Sequence, residues 1–165
     1  MASGKTTVAA ALASSFPRGV HLEGDVYRRF IVSGRRELSP NADNEATAQL
    51  RLRYELTANA ALAYAHHGFT VVVEDVIAGD SLPAFVSLVT WRPLRVTVLL
   101  PNPRVLAQRE AARGARGYDD WTPRQLHNVF AKETPQIGLW LDTSDQRPDE
   151  TVATILSRPA EALIP

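Results

Sequence analysis

Cysteine is absent from the 165 residues, which excludes disulfides, zinc–thiolate sites and a cysteine nucleophile. No apolar stretch approaches the roughly 18 residues of a membrane span. The first residues also lack the basic-then-apolar order of a signal peptide. Net charge is missing too, since eighteen basic side chains meet eighteen acidic ones for a formal charge of +0. That balance argues against bulk binding to a nucleic-acid backbone. Lysine is scarce, Lys5 and Lys132 being the two among 18 basic residues. These absences lead us to expect a soluble, cytoplasmic chain with no nucleic-acid or membrane partner. With 45% apolar and 22% charged residues, the composition is that of one globular domain over residues 1–165.

Helical and strand-like segments alternate along the chain. Lys5 to Phe16 is rich in Ala and Leu and stops before Pro17, which predicts a helix. Val20 to Glu23 reads as a short strand closed by Gly24-Asp25, and Val26 to Val32 as a helix. A polar loop from Gly34 to Asn44 precedes a long helix, Glu45 to His67, which Gly68 ends. Phe69 to Val73 and Leu94 to Leu100 are continuous apolar runs of the kind buried on both faces of a sheet. Asp80 to Val89 is helical. Asn102 and Thr122 read as caps of helices that carry Pro103 and Pro123 in their first turns. A last strand, Ile137 to Leu141, and a closing helix, Pro148 to Leu156, follow. The order predicts an α/β fold with a mainly parallel sheet between two helix layers.

Ser3-Gly4-Lys5-Thr6-Thr7, opening a helix, matches the end of a P-loop, G-x-x-x-x-G-K-[ST]. Gly4 lets the backbone approach phosphate oxygens, and the helix N-terminus offers unpaired N–H groups. Lys5 suits the β- and γ-phosphates, and the Thr6 hydroxyl suits Mg²⁺. A polar start to an amphipathic helix would carry the same tripeptide, so its weight comes from what lies downstream. Counting back from Gly4 puts the first motif glycine before Met1. We therefore expect the N-terminal strand of the fold to be absent from this sequence, with a truncated or misplaced start.

Three further groups sit where strands end. Asp25, after the first strand, can receive or orient a hydroxyl proton during phosphoryl transfer, and it also reads as a helix N-cap. Glu74-Asp75, after Val71-Val72-Val73, is a place to hold Mg²⁺, with Asp75 and Thr6 as the chosen ligands; a solvated strand end is the alternative. Arg109, Arg113 and Arg116 flank Gly114 and Gly117 in a segment that reads as a lid over residues 113–121, or as a solvated helix end. His21, His66, His67 and His127 show no metal-ligand spacing.

With Ser3-Gly4-Lys5-Thr6, Gly24-Asp25, Val72-Val73-Glu74-Asp75-Val76, Arg109-Glu-Ala-Ala-Arg113-Gly and Leu141-Asp-Thr-Ser144, the chain resembles the chloramphenicol phosphotransferase-like group. That group belongs with the shikimate-, gluconate- and nucleoside monophosphate-kinase-like folds, a three-layer α/β/α P-loop NTPase architecture. The resemblance implies a kinase that moves the γ-phosphoryl of ATP to a hydroxyl of a small molecule. It implies Asp25, Lys5 and Arg113 as catalytic residues. Ser3, Gly4, Lys5, Thr6, Thr7, Arg109 and Thr143 would bind nucleotide, with the loop after Asp142 beside adenine. A non-catalytic or truncated nucleotide-binding protein stands as the alternative, and a toxin-like kinase of sugar nucleotides as a third.

Overall fold

The computed structural model describes residues 2–37, 39, 42–113 and 121–165, without the side chain of Arg113. Among the described residues, seven helices and six strands follow one another in a mixed α/β order. The helix α1 spans Lys5–Ser14, and the strand β1 spans Gly19–Glu23. A short α2, Asp25–Arg29, precedes the 23-residue α3, Asn44–His66. The strand β2, Thr70–Glu74, leads to α4, Ser81–Leu88. Then come β3, Leu94–Arg95, β4, Thr97–Leu99, and α5, Pro103–Arg113. The chain closes with α6 at Pro123–Glu133, β5 at Leu139–Leu141, α7 at Pro148–Ser157 and β6 at Leu163–Ile164.

Two of the three strand pairs are parallel, as expected, and the third is antiparallel, and among the described residues they form three two-stranded sheets rather than one. β1 runs parallel to β2 with Val20 opposite Val71 and Glu23 opposite Glu74. β4 runs parallel to β5 with Val98 opposite Trp140. The run Leu94–Leu100 is not a single strand, because its backbone changes partner at Val96. There the N–H donates to Ala162 of the terminal segment, 2.8 Å away, while the C=O accepts from Leu139 of β5 at 2.9 Å. The first half thus becomes β3, antiparallel to β6.

One core cluster joins Tyr54 and Ala58 of α3 to Phe85 and Val89, with Val73 and Leu62 packed against it. Val73 therefore points to α3. By the alternation of a strand, Val72 and Glu74 point to the opposite side, where α1 lies. This alternation positions the site.

Candidate functional site

Gly4 takes φ 87°, a left-handed conformation that only glycine adopts without strain, and immediately opens α1. The turn brings Lys5 and Thr6 over the end of β2. Lys5 Nζ lies 3.1 Å from Glu74 Oε2, and the Thr6 hydroxyl donates to Glu74 Oε1 at 2.8 Å. Glu74 is 8% exposed at its side chain, yet Oε2 has no hydrogen-bond partner in good geometry. Ser3 is buried and Thr7 exposed. The carboxylate bonded to Thr6 is thus Glu74 and not Asp75.

Asp75 belongs to a different cluster one residue on. Its side chain is 1% exposed and takes a 2.7 Å hydrogen bond from Arg53 and a 2.6 Å bond from the Val76 N–H. Burial pushes its pKa up to about 6, although Arg53, the Val76 N–H and Lys5 pull the other way. Gly24 makes this approach possible, because a Cβ there would stand 2.1 Å from Asp75 Oδ2.

Asp25 is the first residue of α2, and the N-cap position falls to Gly24, which makes no side-chain cap. Its carboxylate instead accepts from Arg28 Nε at 3.0 Å and from Arg53 Nη1 at 3.2 Å. Burial raises its pKa, but the Arg28 hydrogen bond and the charges of Arg28, Arg53 and Arg29 outweigh it and hold the carboxyl below its ordinary value. Arg53 therefore ties Asp25 to Asp75. Helical spacing in the sequence already marks it. Ala46, Arg53, Thr57 and Ala61 recur at helical spacing and are all buried, so an arginine sits on the apolar face of α3. Such a residue needs acidic partners.

A cavity of about 160 Å³ opens between α2 and α3, lined among others by Tyr27, Ile31, Leu50 and Leu56 with Arg28 and Arg53, the two arginines that hold Asp25. After β4 and β5, Arg109 donates to the Thr143 carbonyl at 3.0 Å, and Asn102 Nδ2 donates to Ser144 Oγ at 2.9 Å. Arg109 and Thr143 are thus brought together, while the lid reading rests on residues 114–120, outside the described residues. Among the described residues, no helix is long and apolar enough to cross a membrane.

The arrangement defines a mixed α/β protein whose glycine-opened helix meets buried carboxylates at the carboxyl end of parallel strands. The chain belongs to the chloramphenicol phosphotransferase-like protein family, which matches residues 1–159. A solved structure described as a "putative kinase" from Chloroflexus aurantiacus J-10-fl has a similar fold, with a TM-score of 0.53 at 18% identity, over 97% of this chain and 91% of that one. No match was found among curated proteins. Family membership points to phosphotransferase activity and leaves the acceptor open.

Proposed function

We propose that the chain transfers the γ-phosphoryl group of ATP to a hydroxyl of a small-molecule acceptor. The observation that supports this most is the register of β1 on β2. Pairing Glu23 with Glu74 sets Asp25 and its cavity at the same strand ends as Gly4, Lys5 and Thr6. Lys5, with the N–H groups that open α1, holds the β- and γ-phosphates. Ser3, Gly4, Thr6 and Thr7 belong to the same turn, and Arg109 and Thr143, bonded to each other, serve the nucleotide. Arg113 is the further cation proposed for the transferring phosphoryl group.

The residues present fit Mg²⁺. A hydroxyl and a buried carboxylate converge, and Glu74 Oε2 lacks a hydrogen-bond partner. Thr6 and Glu74 would hold the ion, with Asp75 behind them on Arg53. Bound there, Mg²⁺ supplies charge neutralisation at the phosphate oxygens. Asp25 is ionised at neutral pH and orients the acceptor hydroxyl, taking its proton late in the transfer. Arg28 and Arg53 fix its carboxylate, and the apolar wall of Tyr27, Ile31, Leu50 and Leu56 receives the carbon skeleton of the acceptor.

ATP consumption and phosphorylated product, measured across a panel of small hydroxyl compounds, test the reading. Lys5→Ala should remove most transfer, because Lys5 is the cation carried by the first residue of α1. Asp25→Asn should lower kcat by roughly 10²-fold with ATP affinity little changed. Wild-type turnover in both variants would end the proposal. Normal turnover in Asp25→Asn alone would move the base to Glu23.

A further inference from the structure

On the α1-facing side of the β1–β2 ladder, three potential ligands share one patch. Glu23 stands opposite Glu74 in the register, and His21, two residues earlier on β1, projects to the same side. A ring nitrogen of His21 and one carboxylate oxygen each of Glu23 and Glu74 all lie within 4.8 Å of one another. We propose that His21, Glu23 and Glu74 form a binding site for a divalent transition-metal ion of the zinc type, which shares Glu74 with the magnesium position at Thr6 and adds an imidazole nitrogen to the donors.

Two buried atoms give independent support. His21 Nε2 is shielded from water and has no hydrogen-bond partner, and Glu74 Oε2 meets only the Lys5 ammonium at 3.1 Å. Buried polar atoms are almost always satisfied, so the unpartnered His21 nitrogen calls for a water or an ion, and Glu74 Oε2, held by an ion pair alone, can accept a further cation. One imidazole nitrogen with two carboxylate oxygens is a donor set that zinc favours, whereas Mg²⁺ prefers oxygen alone. Ligand atoms in a tetrahedral zinc site are roughly 3.4 Å apart. The three groups must therefore close by about an ångström, which Glu23, 42% exposed at its side chain, can supply by a rotamer change. Water would complete the coordination. Two carboxylates balance the charge of the ion, but Lys5 pairs with Glu74 at 3.1 Å and Arg29 with Glu23 at 3.7 Å. The metal and the ammonium therefore compete for Glu74.

The test is zinc uptake by the purified full chain at equilibrium against a chromophoric zinc indicator, without nucleotide or acceptor. The outcome is thus independent of the kinase reading. One equivalent of zinc should bind. His21→Ala and, separately, Glu23→Gln should weaken binding by at least about tenfold, since even outer partners of ligands are worth that much. Lys5→Ala should tighten it by removing the competing cation. Glu23→Gln lies at a half-exposed position and gives an answer should His21→Ala fail to fold. Absence of uptake would overturn the site and leave a buried water beside His21. Uptake unchanged in both ligand variants would also overturn it, placing the ion elsewhere, such as at His66 and His67.

Discussion

Asp75 shows how one side chain can report on its surroundings. Its ordinary pKa of 3.8 rises to about 6 in the folded chain. A carboxyl raised on folding stabilises the fold fully below its unfolded value, and that contribution is lost as pH climbs through the folded value. Asp75→Asn cannot titrate. The thermal midpoint of that variant minus that of the wild type should therefore increase from about pH 4 to about pH 6 and level off above. A flat difference across this window would mean that Asp75 ionises as freely folded as unfolded. At this scale the sequence was half legible. Gly4, Lys5 and Thr6 stand at a glycine turn that opens a helix, and Asp25 follows a strand. The choice between Glu74 and Asp75 was not legible, because it depends on which of two adjacent carboxylates still follows the strand's alternation. Glu74 does and meets Thr6; Asp75 lies past the strand and turns to Arg53.

Helix starts were the most legible elements, because capping is a local interaction. Thr122 accepts from the Gln125 N–H at 3.2 Å, and Gln125 returns a bond to the Thr122 N–H at 3.0 Å, a complete capping box before Pro123. Asn102 likewise accepts from the Val105 N–H at 3.0 Å. Thr122→Ala should cost about 1 kcal/mol of unfolding free energy in urea, and Thr122→Ser should restore most of it. Loss of stability in neither variant would show that α6 is held by Leu126 and Phe130 packing alone. The Asp43 cap of α3, which accepts from Ala46 at 2.7 Å, was passed over because the polar run before it hides the boundary. Strand limits were less legible still. Leu94–Leu100 reads as one apolar run, and only the tertiary pairing of Val96 to both Ala162 and Leu139 divides it.

For the molecule as a whole, ligand binding and stability are linked. A nucleotide that binds only the folded chain raises the thermal midpoint with the logarithm of its concentration. Mg²⁺ and ATP at about 100 times the dissociation constant should add about 2.7 kcal/mol, and Lys5→Ala should lose most of that shift. An equal shift in the variant would take nucleotide binding away from Lys5. Val71, Val72 and Val73 read as an interior strand, yet β2 pairs with β1 alone among the described residues, and its valines are half-buried.

Such a strand has neither proline nor lysine along it to discourage a neighbour. Its free backbone groups and those of β4 are templates on which other chains can add strands. Dilute solutions should keep the protein dispersed, and concentrated ones should drive edge-to-edge association while every helix is still folded.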